Sequence, residues 1–175
     1  MKTVILLIAL ALFSLLPAAA QTANGTEIGD RELEWSDFNG AVDRTSAYDA
    51  FTYWFTTYRF GPPVFEDGRA RVTVTVRLFL RSDSWVKPGR ETARLLNHER
   101  GHYKIGRLCA REIAEKINST LFDRVNYAKE VDAVYWEITR KYQEINRQYD
   151  RETDHYNNRA EQERWDKKLD GLLGR

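Results

Sequence analysis

His98-Glu99-Arg100-Gly101-His102 decides how this 175-residue chain is read. A helical turn takes about 3.6 residues and rises about 5.4 Å, so the two histidines share one face and can grip one metal ion. Glu99, beside them, can then reach a water on that ion, and this combination is the signature of a zinc hydrolase. The chain has only three histidines, and the third, His155, falls in a downstream stretch that also reads as helix. Catalytic zinc requires three protein ligands and one open position. His98, His102 and His155 are therefore the predicted ligands, Zn2+ the predicted cofactor and Glu99 the predicted general base.

A five-residue match can arise by chance on a solvated helix, so the flanking sequence matters. Leu95, Leu96, Ile105, Leu108, Cys109, Ile113 and Ile117 recur near helical spacing with no proline among them. Lys87-Pro88-Gly89-Arg90 makes a turn before them, and Glu91 is placed for the positive end of the helix dipole. The motif thus lies in an amphipathic helix over about 91–116. Cys109, the lone cysteine, stands seven residues beyond His102, about 10 Å along that helix. It is too far away to join the same ion and reads as a buried small apolar residue.

Upstream the pattern is that of strands. From Arg69 to Arg81 the residues Ala70, Val72, Val74, Val76, Leu78 and Leu80 alternate with arginines and threonines, the mark of one half-buried strand. Ala47 to Phe60 is rich in aromatic residues and threonine, which favours strand, and Gly61-Pro62-Pro63 ends it. Downstream, Val131, Tyr135, Ile138, Tyr142, Ile145, Tyr149, Glu152 and Tyr156 follow steps of four and three along one long helix. Tyrosines make a poor zipper seam, so this stripe is expected to pack within the domain, against the motif helix.

Residues 1–20 have the parts of a secretory signal: Lys2, an apolar core from Val4 to Leu16, then Ala18-Ala19-Ala20 before Gln21. The apolar core is too short for a bilayer span of roughly 20 residues, so no stable membrane insertion is expected after cleavage. A periplasmic or secreted location follows. Without Lys2 the basic and acidic residues balance at 26 each, which argues against a nucleic-acid partner. Residues 21–32 read as a flexible leader, and 33–172 are long enough to bury one core without disulfide staples. Oligomeric state is not encoded in these patterns.

Trp35-x-Asp37-Phe38, His98-Glu99-x-x-His102 and Tyr149-Asp150-x-x-Thr153-x-His155, followed by Gln162 and Trp165, carry a resemblance. The chain resembles a family of exported bacterial proteins catalogued as domain of unknown function number nine hundred and twenty-two and regarded as zinc-dependent proteases. Many relatives have a small residue after the third histidine, where this chain has Tyr156. The resemblance implies an α+β, zincin-like fold: a small, mainly antiparallel sheet packed on the motif helix and a long C-terminal helix. It also implies a peptide or protein substrate aligned on an edge strand, for which Ala70 to Leu80 is the candidate. Zincins with a glutamate as third ligand carry it on the next helix, so Glu152 competes with His155. Imidazole is the stronger zinc ligand, which leaves Glu152 as the alternative ligand or as an acceptor behind the histidine. Tyr149 is the expected donor to the oxyanion, with Tyr156 second. Two other functions use the same residues: an exported binding or assembly module with a structural zinc, and a hydrolase acting on a bond other than a peptide.

Overall fold

The structure of the protein, a computed structural model, describes residues 24–174. The signal segment 1–20 and the first residues of the leader lie outside the described residues. Among the described residues the architecture is α+β, with three small antiparallel sheets and three α-helices. Strand β1 (Gly25–Thr26) and β3 (Trp54–Phe60) flank β6 (Val74–Arg81); β2 (Ala50–Phe51) pairs with β7 (Trp85–Val86). A third sheet joins β4 (Val64–Glu66), β5 (Arg69–Arg71) and β8 (Leu121–Asp123). The helices are α1 (Ala93–Ser119), α2 (Tyr127–Thr153) and α3 (Arg159–Leu173).

Three expectations change. Within the stretch read as a leader, β1 pairs with the end of β6, and Ile28 is buried with Leu33, Phe38, Leu80 and Tyr103. The apolar side chain at 28 outweighs the polar composition around it. The period-2 run 69–81 is not one strand, because it changes sheets after Arg71. The Asn118 side chain donates to Val74 O and accepts from Val74 N, taking the ladder position where the run switches partners. The inward alternation of Ala70, Val72, Val74, Leu78 and Leu80 survives the switch. Finally, β6 is the centre of its sheet, so 70–80 is no free edge. The edge strands are β2 and β3 instead, so the side without a strand partner runs along 50–54, where Ala50 and Thr52 are themselves buried. Asp49 O accepts from Lys87 N and Tyr53 O from Arg81 N, so by antiparallel alternation the main-chain groups of Ala50, Thr52 and Trp54 face away from both partners.

Helix α1 starts where Thr92 caps it, its hydroxyl accepting from Leu95 N at 3.2 Å. It is buried along its whole length, with Leu95, His98, Gly101, Ile105, Leu108, Cys109, Ile113 and Ile117 all inside. Burial pushes the Cys109 thiol up to about 12, consistent with an inert core residue. Helix α2 lays Val131, Tyr135, Ile138, Tyr142 and Tyr149 against it, as the stripe implies. The helix does not continue to Tyr156. Asp154, His155 and Tyr156 all have positive φ, at 47°, 46° and 75°, and the chain turns there into α3.

At Gly101 α1 and α2 approach each other closely. A Cβ at that position would overlap the Tyr149 hydroxyl. Gly101→Ala should therefore destabilise the protein by about 1–3 kcal/mol through overpacking, in spite of the roughly 1 kcal/mol by which alanine outranks glycine in a helix. Urea denaturation measures this, and a variant as stable as wild type would show that the two helices can move apart freely.

Candidate metal site

Two imidazoles one turn apart on α1 point the same nitrogen inward. His98 Nδ1 donates to Gln162 Oε1 at 3.1 Å and His102 Nδ1 to Asn146 Oδ1 at 2.9 Å. Each bond fixes the tautomer that leaves Nε2 free to act as a ligand. The two Nε2 atoms are 3.1 Å apart, and both rings are almost fully buried.

The third group to reach them is Asp150, on α2. Its Oδ1 lies 3.3 Å from His98 Nε2, 3.0 Å from His102 Nε2 and 3.2 Å from His155 Nδ1. Ligand atoms about 2.0–2.1 Å from a tetrahedral zinc stand roughly 3.3 Å from one another, and the spacings from Asp150 Oδ1 to the three imidazoles are of that size. His98, Asp150 and His155 together form a group able to hold a metal ion, with ligand atoms within 4.8 Å of one another; His102, predicted as a ligand, is not part of that group, although its Nε2 adjoins His98 and Asp150. His155 arrives from the turn after α2 and not from a helix. Its N–H donates to Asp150 O at 3.1 Å, and its ring lies 4.4 Å from that of Tyr48.

The carboxylate among three imidazoles perturbs its neighbours. Burial drives the His102 pKa down, but the Asp150 charge and hydrogen bond, with help from Glu99 and Asn146, outweigh it and raise it to about 9. Burial alone would raise the Asp150 pKa, yet His102 and His98 hold it well below the usual carboxylate range.

Glu99 is buried beside this cluster, its Oε2 accepting from Thr52 Oγ at 2.6 Å. Both residues line a cavity of about 430 Å³ that also exposes His98, His102, Asp150 and His155. The other two predicted site residues stand elsewhere. Tyr149 is fully buried, its ring stacked on His98 at 4.7 Å. Its hydroxyl donates to His98 O at 3.0 Å and accepts from Gln162 Nε2 at 2.7 Å, so the donor expected for an oxyanion is committed to holding α1. Glu152 faces α3, accepting from Trp165 Nε1 at 2.7 Å and Arg164 at 2.8 Å. One helical turn before His155 does not bring it to the site, because α2 ends at Thr153 and the turn swings His155 back over Asp150. Tyr156 lines the cavity with its hydroxyl donated to Asp49.

Sequence reasoning gave no site role to Asp150 or Gln162, which entered only among the residues that carry the family resemblance, and it passed over Asn146 altogether. Asp150 stands four residues after Asn146, so the two share a face of α2, and the Tyr-Asp pair at 149–150 was the available signal. Gln162 belongs to a different helix, and no local spacing tied it to the histidines.

The sequence profile of a family described as a bacterial protein of unknown function (DUF922) matches residues 24–156. The chain belongs to this family. The DUF922 match covers His98, Glu99, His102, Asp150 and His155 but stops before α3, so Gln162, which orients His98, lies outside it. No curated protein and no solved structure matches the sequence.

Two predictions test the geometry. With zinc as the probe of a divalent metal, Asp150→Asn and His155→Ala should each lose most of whatever affinity the wild type shows. Gln162→Leu should cost about 10- to 100-fold, and Glu152→Gln should change it less than about threefold, being outside both roles. Calorimetric titration reads all four, and a Glu152 effect as large as that of Asp150 would overturn the assignment. The second prediction concerns the metal-free protein. His102 is raised from 6.5 to about 9 in the fold, so its stabilisation is complete below pH 6.5 and is lost as pH rises through about 9. Asp150, lowered from 3.8, contributes above that value and loses its contribution on acidification below it. After chelation the urea midpoint should fall between pH 6.5 and 9.5, and in His102→Gln that fall should be absent.

Proposed function

We propose that this protein is an exported zinc metallopeptidase, periplasmic or secreted once residues 1–20 are removed. The observation that carries the reading is the convergence of His98 Nε2, His102 Nε2, Asp150 Oδ1 and His155 Nδ1 beside a buried Glu99 in one open cavity. A zinc ion held there would supply Lewis-acid polarisation of a peptide carbonyl and bring the pKa of a water to about 7.

The remaining work falls to the chain. Glu99 is held at one oxygen by Thr52, which leaves the other free to take a proton from the attacking water and pass it to the leaving amine. Gln162 and Asn146 keep the two imidazoles in the tautomer with Nε2 unprotonated. The outward main-chain groups of Ala50 and Thr52 border the same cavity and can pair with an extended substrate. This is a zincin-like layout with the edge at 50–54.

One observation favours a second reading. Four protein donors can close a tetrahedral zinc completely, and closed sites are structural. An exported binding or assembly module would use them in that way, whereas a structural site has no use for Glu99. A hydrolase acting on another bond would use the same groups as the peptidase.

Glu99→Gln separates the readings. Glutamine can still accept from Thr52, so zinc content and thermal midpoint should stay near wild type while casein and peptide hydrolysis fall about 10²- to 10⁴-fold. If zinc-loaded wild type cleaves nothing across a broad peptide library while chelation lowers its midpoint sharply, the structural module replaces the peptidase.

A further inference from the structure

A second cavity, of about 470 Å³, continues from the first and shares Phe51, Thr52, Asn146 and Arg147 with it. One wall is the edge of the sheet from Phe51 to Thr56, and the other is a face of α2. The edge is available only so far. At Thr56 the outward carbonyl already accepts from the Tyr135 hydroxyl at 2.6 Å, which closes the edge to further pairing. Next to Tyr135, Trp136 is 53 % exposed and lines the far end of the groove. From Asp150 to Trp136 is fourteen residues of helix, about 21 Å, the reach of about six residues of extended peptide.

No carboxylate lines this groove, and its two arginines are already paired, Arg81 with Asp83 and Arg147 with Glu144. Selection by charge is therefore weak, and the exposed aromatic surface of Trp136, with Tyr53 nearby, is what remains to reward a ligand. An exposed tryptophan at the end of a strand-edged groove that opens onto the metal site fits one occupant, an extended peptide with an apolar side chain at its remote end.

We propose that the groove between the 50–54 edge and α2 binds about six residues of extended peptide on one side of the reacting bond and that Trp136 grips an apolar side chain at its far end. This rests on the peptidase reading and makes the enzyme one for unfolded stretches of chain, not for dipeptides or free termini. Binding at that distance from the reacting bond would act on specificity through remote interactions.

The test lengthens a blocked chromogenic peptide residue by residue on each side of the cleaved bond, ending in phenylalanine. In zinc-loaded wild type, kcat/KM should rise about 10- to 100-fold between the shortest and longest peptide on one side, what burying one large apolar side chain is worth. In Trp136→Ala this ratio should collapse toward one. In parallel, the longest peptide is titrated into metal-free protein by calorimetry, where Trp136→Ala should weaken binding by a similar factor. Hydrolysis with no length dependence, or with a dependence that Trp136→Ala leaves intact, overturns the groove and leaves the peptidase standing. Trp136-dependent binding by metal-free protein with no hydrolysis after zinc loading overturns the peptidase and keeps the groove. Failure of metal-free protein to bind the longest peptide overturns the groove outright.

Discussion

The contact on which the site depends is between Gly101, which has no side chain, and the Tyr149 hydroxyl. With nothing at 101 to hold the helices apart, Tyr149 reaches the main chain of α1 and donates to His98 O, the carbonyl of the first motif histidine. That bond sets the register of α2 against α1 at the point where it matters. Asp150 is the next residue along α2, and the turn of the helix carries it from the interface to the cavity, level with both imidazoles. Gln162 then joins the Tyr149 hydroxyl to His98 Nδ1, so α3 is locked to the same point. Asn97 and Asp166 extend the network on its far side. A substitution at 101 would act on three helices at once.

A half-buried carboxylate surrounded by three imidazoles is expensive unless charge is balanced there. Without a metal the balance is met by a proton: His102 is raised and Asp150 lowered, each by the other. A divalent cation at the same point would replace that proton and contribute more charge, so metal binding and proton release would be two sides of one exchange. The arrangement that balances the cluster without metal is also the one that would take up a cation as pH rises.

His155 reaches the cluster at a conformational cost. Three consecutive residues with side chains take the left-handed region, which costs roughly 1–2 kcal/mol each for a residue other than glycine. Arg94 offsets part of this by donating to the carbonyls of Tyr156 and Asn157, and the Tyr156 hydroxyl is anchored on Asp49. A φ of 75° at Tyr156 is a conformation that a side chain disfavours and that a glycine adopts readily. In this chain the tyrosine trades backbone ease for a tie between the turn and the segment that leads into β2.

Patterns with a local period were legible in the sequence. The four-residue spacing of His98 and His102 placed them on one face of α1, the stripe of α2 marked its inner face, and the alternation from Ala70 to Leu80 marked which side of each strand is buried. These follow from the geometry of a single helix or strand, which a few neighbouring residues determine. The tertiary structure decided what depends on how elements meet. It chose Asp150 and not Glu152 as the carboxylate at the histidines, because the Gly101–Tyr149 contact sets the rotation of α2 and the left-handed turn breaks the helix that would have carried the stripe onward. It put β6 in the middle of a sheet and the free edge at 50–54, because strand pairing is a choice among distant partners. It also brought Gln162 to His98 across 64 residues, a distance over which no sequence period extends.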